Sequence, residues 1–382
     1  MHRLLTLFFI FLRLGCTSFG GPAAHIGFFR DEFVRQRQWL SEAEFGSLLA
    51  LAQLLPGPAS SQLGFAIGLH RAGLPGAVLA FIGFTLPSVC ALLVFAAAMA
   101  YPQLQSPSLG HALKLLAVAV VFQALKGMLP SLCPDLPRRI MAVSAAVLLL
   151  FLPGISSQLV LIGAGMAMGV LWLRLPPTAD TPAESSVSRS AALSALLLFS
   201  LLFTGLPLIA DTNAVAHLAS IFYQAGALVF GGGHVVLPLL ESSVTPHLVS
   251  QELFLSGYGA AQLVPGPVFS FAAYLGAVMD SPLNSYVSAL IATLAIFLPG
   301  FLLIIALLPF WHQLNRYPRF FRAVAGANAV VAGILAATLI HPMASVALLK
   351  WTDIPLLIVI WLALRKSLWL ALALSVTGAV FL

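Results

Sequence analysis

Two short strings hold the residues whose types and spacing could do chemistry. Gln53-Leu54-Leu55-Pro56-Gly57-Pro58, with Ser61 beyond it, returns as Gln262-Leu263-Val264-Pro265-Gly266-Pro267, with Ser270 beyond it. Two prolines around a glycine cannot continue a helix, because each lacks an N–H and its ring clashes with the preceding turn. A helix broken this way exposes N–H groups at the start of its second half and carbonyls at the end of its first. The N–H ends, around 57–61 and 266–270, carry partial positive charge and suit an anion. Ser61 and Ser270 could add hydroxyl donors. Gln53 and Gln262 sit about one turn before each break, where an amide can donate to an oxyanion or brace the backbone. Upstream of each string lies a glycine motif, Phe19-Gly20-Gly21-Pro22 and Phe230-Gly231-Gly232-Gly233-His234. Gly20, Gly21, Gly231 and Gly232 offer further N–H groups.

Other polar residues read two ways. His25 and His234 follow the glycine motifs at different spacings, and either packs as a polar side chain or titrates. Arg30 either partners an anion or marks the cytoplasmic surface. Its approximate counterpart, Glu241, is a proton site or an exposed loop acid, and Arg13 and Asn328 are similarly open. Small residues and prolines also let membrane helices pack closely, which competes with the site reading for either Pro-Gly-Pro taken alone. Two copies, each with Gln at one distance and a glycine motif upstream, favour a site. There is no Ser/His/Asp set, H-E-x-x-H, Walker loop or paired carboxylate, which argues against an enzyme. Cys16, Cys90 and Cys133 lack C-x-x-C spacing, so no disulfide framework, metal site or cofactor is implied.

These residues must be positioned inside a membrane. The chain of 382 residues is 60% hydrophobic and 8% charged, with mean hydropathy +1.02. A soluble chain would carry roughly a quarter charged residues. Segments 72–100, 140–173, 191–210, 253–279 and 281–315 each exceed the roughly 18 apolar residues of a spanning helix. The net charge of +6 comes from basic residues scattered between apolar runs, which marks cytoplasmic loops and not nucleic-acid binding. The N-terminal apolar stretch resembles a leader, but Arg13 interrupts it and the element recurs at 221–232, so it is read as retained. Residues 24–38 pattern as an amphipathic interfacial helix with Trp39 as anchor. Ser41 to Glu44 form a capping box that starts the next helix. Pro153-Gly154 divides the charge-free run 140–173 into two short spans.

The second half replays the first at an offset of about 210 residues. Residues 1–174 form one repeat, the Pro/Ser-rich stretch 175–190 a linker, and 191–382 the second repeat. Arg30, Arg35 and Arg37 follow the first glycine motif, whereas 241–252 has no Lys or Arg. The loop 101–109 has none either, whereas Arg316, Arg319 and Arg322 fill its counterpart. Matching loops therefore lie on opposite faces. The fold class is an all-α polytopic membrane protein of two inverted-topology repeats with broken, re-entrant helices, a transporter signature. With the glycine and Pro-Gly-Pro segments re-entrant, the N-terminus lies inside and the C-terminus outside.

The motif set resembles the chromate transporter family in its long, two-domain form. Phe19 to Pro22, Ala24-His25, Trp39-Leu40-Ser41, Gln53, Pro56 to Pro58 and Leu86-Pro87 are similar to its first domain. Residues 230–238 and 262–267 are similar to its second. The resemblance implies a secondary transporter of the bacterial inner membrane that exports chromate and confers resistance, with sulfate as competitor and protons as the expected coupled ion. Transport of sulfate or another oxyanion, or an anion channel of the same fold, are the alternatives. Oligomeric state stays open, a homodimer included.

Overall fold

The computed structural model describes residues 2–99, 101, 107–174, 187–314 and 316–381. Most of the expected linker (175–186), and residues 102–106 of the 101–109 loop, fall outside the described residues. The described residues form helices and no strand, and six helices are long and apolar enough to cross a membrane.

The first repeat runs α1 (His2–Thr17), α2 (Gly21–Arg30), α3 (Glu42–Leu54), α4 (Ala59–Met99), α5 (Pro107–Leu132), α6 (Leu136–Phe151) and α7 (Ile155–Trp172). α8 (Arg189–Ile209) falls almost wholly within the 191–382 stretch expected as the second repeat but precedes the helices that match the first. The second repeat runs α9 (Ala214–Leu228), α10 (Val236–Val244), α11 (Gln251–Leu263), α12 (Phe271–Val278), α13 (Ser285–Leu307), α14 (Trp311–Leu314), α15 (Pro318–Thr338), α16 (Ser345–Ala347), α17 (Asp353–Leu364) and α18 (Leu368–Phe381). α4 is two legs, because Ala72 and Gly73 leave helical geometry; residues 279–284 separate the matching α12 and α13.

Local chemistry explains the breaks. Ser41 caps α3 in a full capping box with Glu44. α3 and α11 then end on Leu55 and Val264, both extended, as a residue before proline prefers. Gly57 and Gly266 take φ of +123° and +102°, conformations open to glycine and strained for other residues.

The repeats interlock around these glycines. The Gly57 N–H donates to the Val229 carbonyl at 2.8 Å, and the Gly266 N–H donates to the Ser18 carbonyl at 3.0 Å. Ser18 and Val229 each directly precede a glycine motif, so each repeat's break is anchored to the other repeat's motif. Phe65 of α4 stacks on Phe301 of α13 at 4.3 Å, adding an apolar contact across the same junction. Farther out the repeats exchange arms. α6 and α7 pack on α15, while α17 and α18 pack on α5. Glycines permit the closest approaches: a Cβ at Gly169 or Gly326 would strike the facing backbone, the small-residue packing of membrane interfaces. Large apolar side chains on α6, α7 and α8 face outward, among them Val143, Val160, Leu197 and Leu201. They supply the lipid-facing surface.

The 24–38 segment has the expected amphipathic helical pattern, with α2 starting at Gly21 and continuing into a π turn, Asp31–Gln36, and Arg30 and Arg35 exposed. Phe29 and Phe33 have no exposed area and pack against Phe11. This burial is tolerated because Glu32, nearly enclosed, is paired with both Arg13 and Arg37.

Candidate anion-binding site

Where the first repeat's glycine motif meets the second repeat's break, the structure holds a cavity of about 210 Å³. Ser18, Gly20 and Gly21 line one side, and Gln262, Val264, Gly266 and Val268 line another. His234, Gln123, Leu364 and Leu368 complete much of the wall. No lining residue carries a fixed charge.

The polar groups are mostly donors. Gly20 (φ +98°) turns the chain into α2, whose N-terminus has no side-chain cap, so its first-turn N–H groups lack intrahelical acceptors. The Ser18 hydroxyl is buried without a hydrogen-bond partner, and so by geometry is the Gln262 Nε2, which lies beside the Tyr258 hydroxyl without a well-formed bond to it. Buried polar groups are normally satisfied, so two such groups in one cavity are available to a ligand that accepts hydrogen bonds. Gln123 Oε1 accepts the Trp361 indole N–H at 2.8 Å, which leaves its NH₂ end as the free half of the amide. His234 Nδ1 lies 2.8 Å from the Tyr258 hydroxyl; if that hydroxyl donates, the proton sits on Nε2, a further donor. The Trp361 ring in turn carries Lys126 and Arg365 at 4.7 and 5.8 Å. A neutral, donor-lined pocket with cations stacked just behind it suits a small multivalent oxyanion.

Of the residues singled out by sequence, Gly20, Gly21, His234, Gln262 and Gly266 are brought together here. Pro265 and Pro267 flank Gly266, and the Ser270 hydroxyl donates to the Pro267 carbonyl at 2.7 Å, inside its own turn. His25 stands behind the cavity wall, with Nε2 3.2 Å from the Ser18 carbonyl and Nδ1 3.3 Å from the Ser60 hydroxyl. It braces Ser18.

The remaining candidates lie elsewhere. Pro56, Gly57 and Pro58 form the other break, which is filled: Gln62 Nε2 donates to the carbonyls of Pro56 at 2.9 Å and Gly300 at 3.2 Å. Ser61 is buried beside it with an unpartnered hydroxyl. Gln53 is exposed. Gly231 and Gly232 are covered by Leu132, Asn328 and Met128. Arg30 is exposed and pairs with Glu42 at 2.9 Å, and Glu241 accepts from Thr245 and Gln251.

Sequence reasoning missed Ser18, Gln123 and Trp361. Gln123 had a signal, as the lone amide within an apolar span; Ser18 and Trp361 had none.

An inverted-repeat helical fold, with discontinuous helices meeting at a small cavity, defines a membrane-transporter architecture. The sequence profile described as Chromate transporter matches residues 5–170 and again 216–381. The chain belongs to the chromate transporter family. It is 28% identical over 348 residues to the "Probable chromate transport protein" of Synechococcus elongatus, covering 86% of this chain and 82% of that one. It is 27% identical over 347 residues to the "Chromate transport protein" of Cupriavidus metallidurans, covering 89% and 82%. An uncharacterized transporter of Methanocaldococcus jannaschii is 26% identical over 325 residues, covering 82% and 77%. No solved structure shows a significant match.

Proposed function

We propose that this protein exports chromate, and binds sulfate as a competitor, across a bacterial inner membrane by alternating access. The observation that carries the reading is the pair of buried, unpartnered donors, Ser18 Oγ and Gln262 Nε2, in a cavity without fixed charge. Chromate and sulfate are tetrahedral dianions whose oxygens only accept hydrogen bonds. Backbone N–H groups, a hydroxyl and amide NH₂ groups satisfy them without a cation that would hold them too tightly to release.

Outward movement of a dianion is favoured by an inside-negative potential, at about 2.3 kcal/mol per charge per 100 mV. Exchange against inward-moving protons would add to that drive, and chromate resistance is the consequence in a cell. Inside-out vesicles containing the protein test the reading by accumulation of radiolabelled chromate. Saturable uptake, blocked by sulfate and lowered by a protonophore, is expected. Flux that never saturates would instead indicate a channel, and absence of uptake by intact protein would discard the substrate.

A further inference from the structure

A second, larger cavity of about 540 Å³ lies between the N-terminal ends of α5 and α11. Its walls include His111 and Lys114 of α5, Ser250, which caps α11, and Glu252 and Ser256 of α11. Both helices begin after loops free of Lys and Arg, so this end faces outward under the positive-inside rule. The same two helices line the inner cavity with Gln123 and Gln262. Lys114 precedes Gln123 by nine positions, about 13 Å along the axis. At the inner edge of this cavity the helices touch: a Cβ at Gly259 would strike the Leu113 carbonyl oxygen.

Lys114 is the unusual member. Its side chain is 6% exposed, while its partner Glu252, 3.2 Å away, is 73% exposed. A buried ammonium loses its hydration, and a solvent-screened carboxylate restores little of it. Intramembrane lysines of this kind mark ion pathways by default. The other acid nearby does not compensate Lys114. Asp353 has no exposed side-chain area. One carboxylate oxygen takes His111 Nε2 at 2.9 Å, and the other takes the backbone N–H groups of Leu349 and Lys350 at 2.8 Å each. His111 Nδ1 is buried without a hydrogen-bond partner.

We infer that this cavity is a second oxyanion site, on the outward side, in which the Lys114 ammonium binds the ion and the Glu252 carboxylate is a tethered competitor that the ion displaces. An oxyanion leaving the inner cavity when α5 and α11 part would meet Lys114 next, and Glu252 returning to Lys114 would expel it. The inference rests on the oxyanion reading of the inner cavity. The alternative is a plain strut, in which the Lys114–Glu252 pair only ties α5 to α11.

The test uses the full chain in lipid nanodiscs, with chromate binding measured by equilibrium dialysis and thermal stability measured in parallel. Wild type is expected to bind two ions. Lys114→Met should lose one and keep the other, Gln262→Leu should lose the complementary one, and Lys114→Arg should keep both. Glu252→Gln should bind the outer ion roughly two- to fivefold tighter, the worth of an exposed ion pair. A strut predicts instead that Lys114→Met and Glu252→Gln lower the melting temperature together and leave binding unchanged, which would overturn the outer site. If Lys114→Met does not fold, Glu252→Gln decides alone: tighter binding supports the site and unchanged binding overturns it. Absence of any bound chromate in wild type would remove the oxyanion reading of both cavities. A single ion unaffected by Lys114→Met would remove only the outer one.

Discussion

The two Pro-Gly-Pro breaks share a sequence and differ in what surrounds them. At the first, Gly57 is hemmed in by Gln62 and by Gly300, whose Cα would lie 3.2 Å from an added Cβ. The Gln62 amide plugs the space and caps two carbonyls. At the second, the position matching Gln62 is Phe271, which packs against Phe254, Tyr258 and Tyr274; Gly266 is held on one side by Ser88 and Phe84 and lines the cavity on the other. The glycine motifs invert this pattern: Gly20 and Gly21 are open, while Gly231 and Gly232 are covered by Leu132, Asn328 and Met128. One crossing of motif and break is therefore open and its pseudo-symmetric mate is closed. Duplication supplied two equivalent frames, and a few side chains leave a cavity at one of them.

The largest effects should come from the glycines that both breaks require. Gly57→Leu and Gly266→Leu each force a side chain into positive φ, a strain of about 1–3 kcal/mol, and each intrudes on a cross-repeat hydrogen bond. Both should abolish transport in vesicles while the protein still inserts in the membrane. Full activity in either variant would remove that break from the transport machinery.

Next come the matched amides. Gln262→Leu deletes a buried donor of the open crossing and should weaken chromate binding about ten- to hundredfold, taking a hydrogen bond to an ion as about 1.5–3 kcal/mol. Gln53→Leu, at the exposed equivalent, should stay near wild type. Equal losses in the two would erase the asymmetry.

Gln62→Leu probes the plug. It leaves the Pro56 and Gly300 carbonyls without this donor, at about 1–3 kcal/mol for each buried group left unsatisfied. A lower melting temperature is expected, with chromate affinity at the open crossing nearly unchanged. An unchanged melting temperature would mean that water replaces the amide and the plug is not structural.

The frame was legible because its signals are local. Proline and glycine break helices by their own covalent geometry, and the Lys/Arg bias of short loops inverts between copies, so the repeats and both breaks could be read directly. Which crossing is open could not. It depends on Gln62 against Phe271, and on Met128 and Leu132 reaching the second glycine motif from α5, contacts that only the tertiary fold creates. The 24–38 segment was legible as amphipathic because its apolar residues recur at helical spacing; that its apolar face packs on Phe11 is not visible in the sequence. Arg30 looked available for an anion because Glu42, its partner twelve residues on, carries no mark in the sequence.

The smallest expected effect concerns the cations stacked on Trp361. Lys126 and Arg365 are exposed and stand behind Gln123, so neither reaches into the cavity as a ligand. Their field still raises the local concentration of a dianion at the open crossing, whereas no such pair stacks behind Gln62 among the described residues. Lys126→Ala and Arg365→Ala should therefore raise KM for chromate by a few-fold at low ionic strength and leave kcat alone. The difference should fade as salt rises, since the Debye length falls to about 8 Å at 0.15 M. A salt-independent loss would point instead to Trp361: with its ring unsupported, the indole N–H would release Gln123, and the defect should then be reproduced by Trp361→Phe, which removes that N–H and keeps a ring for the cations.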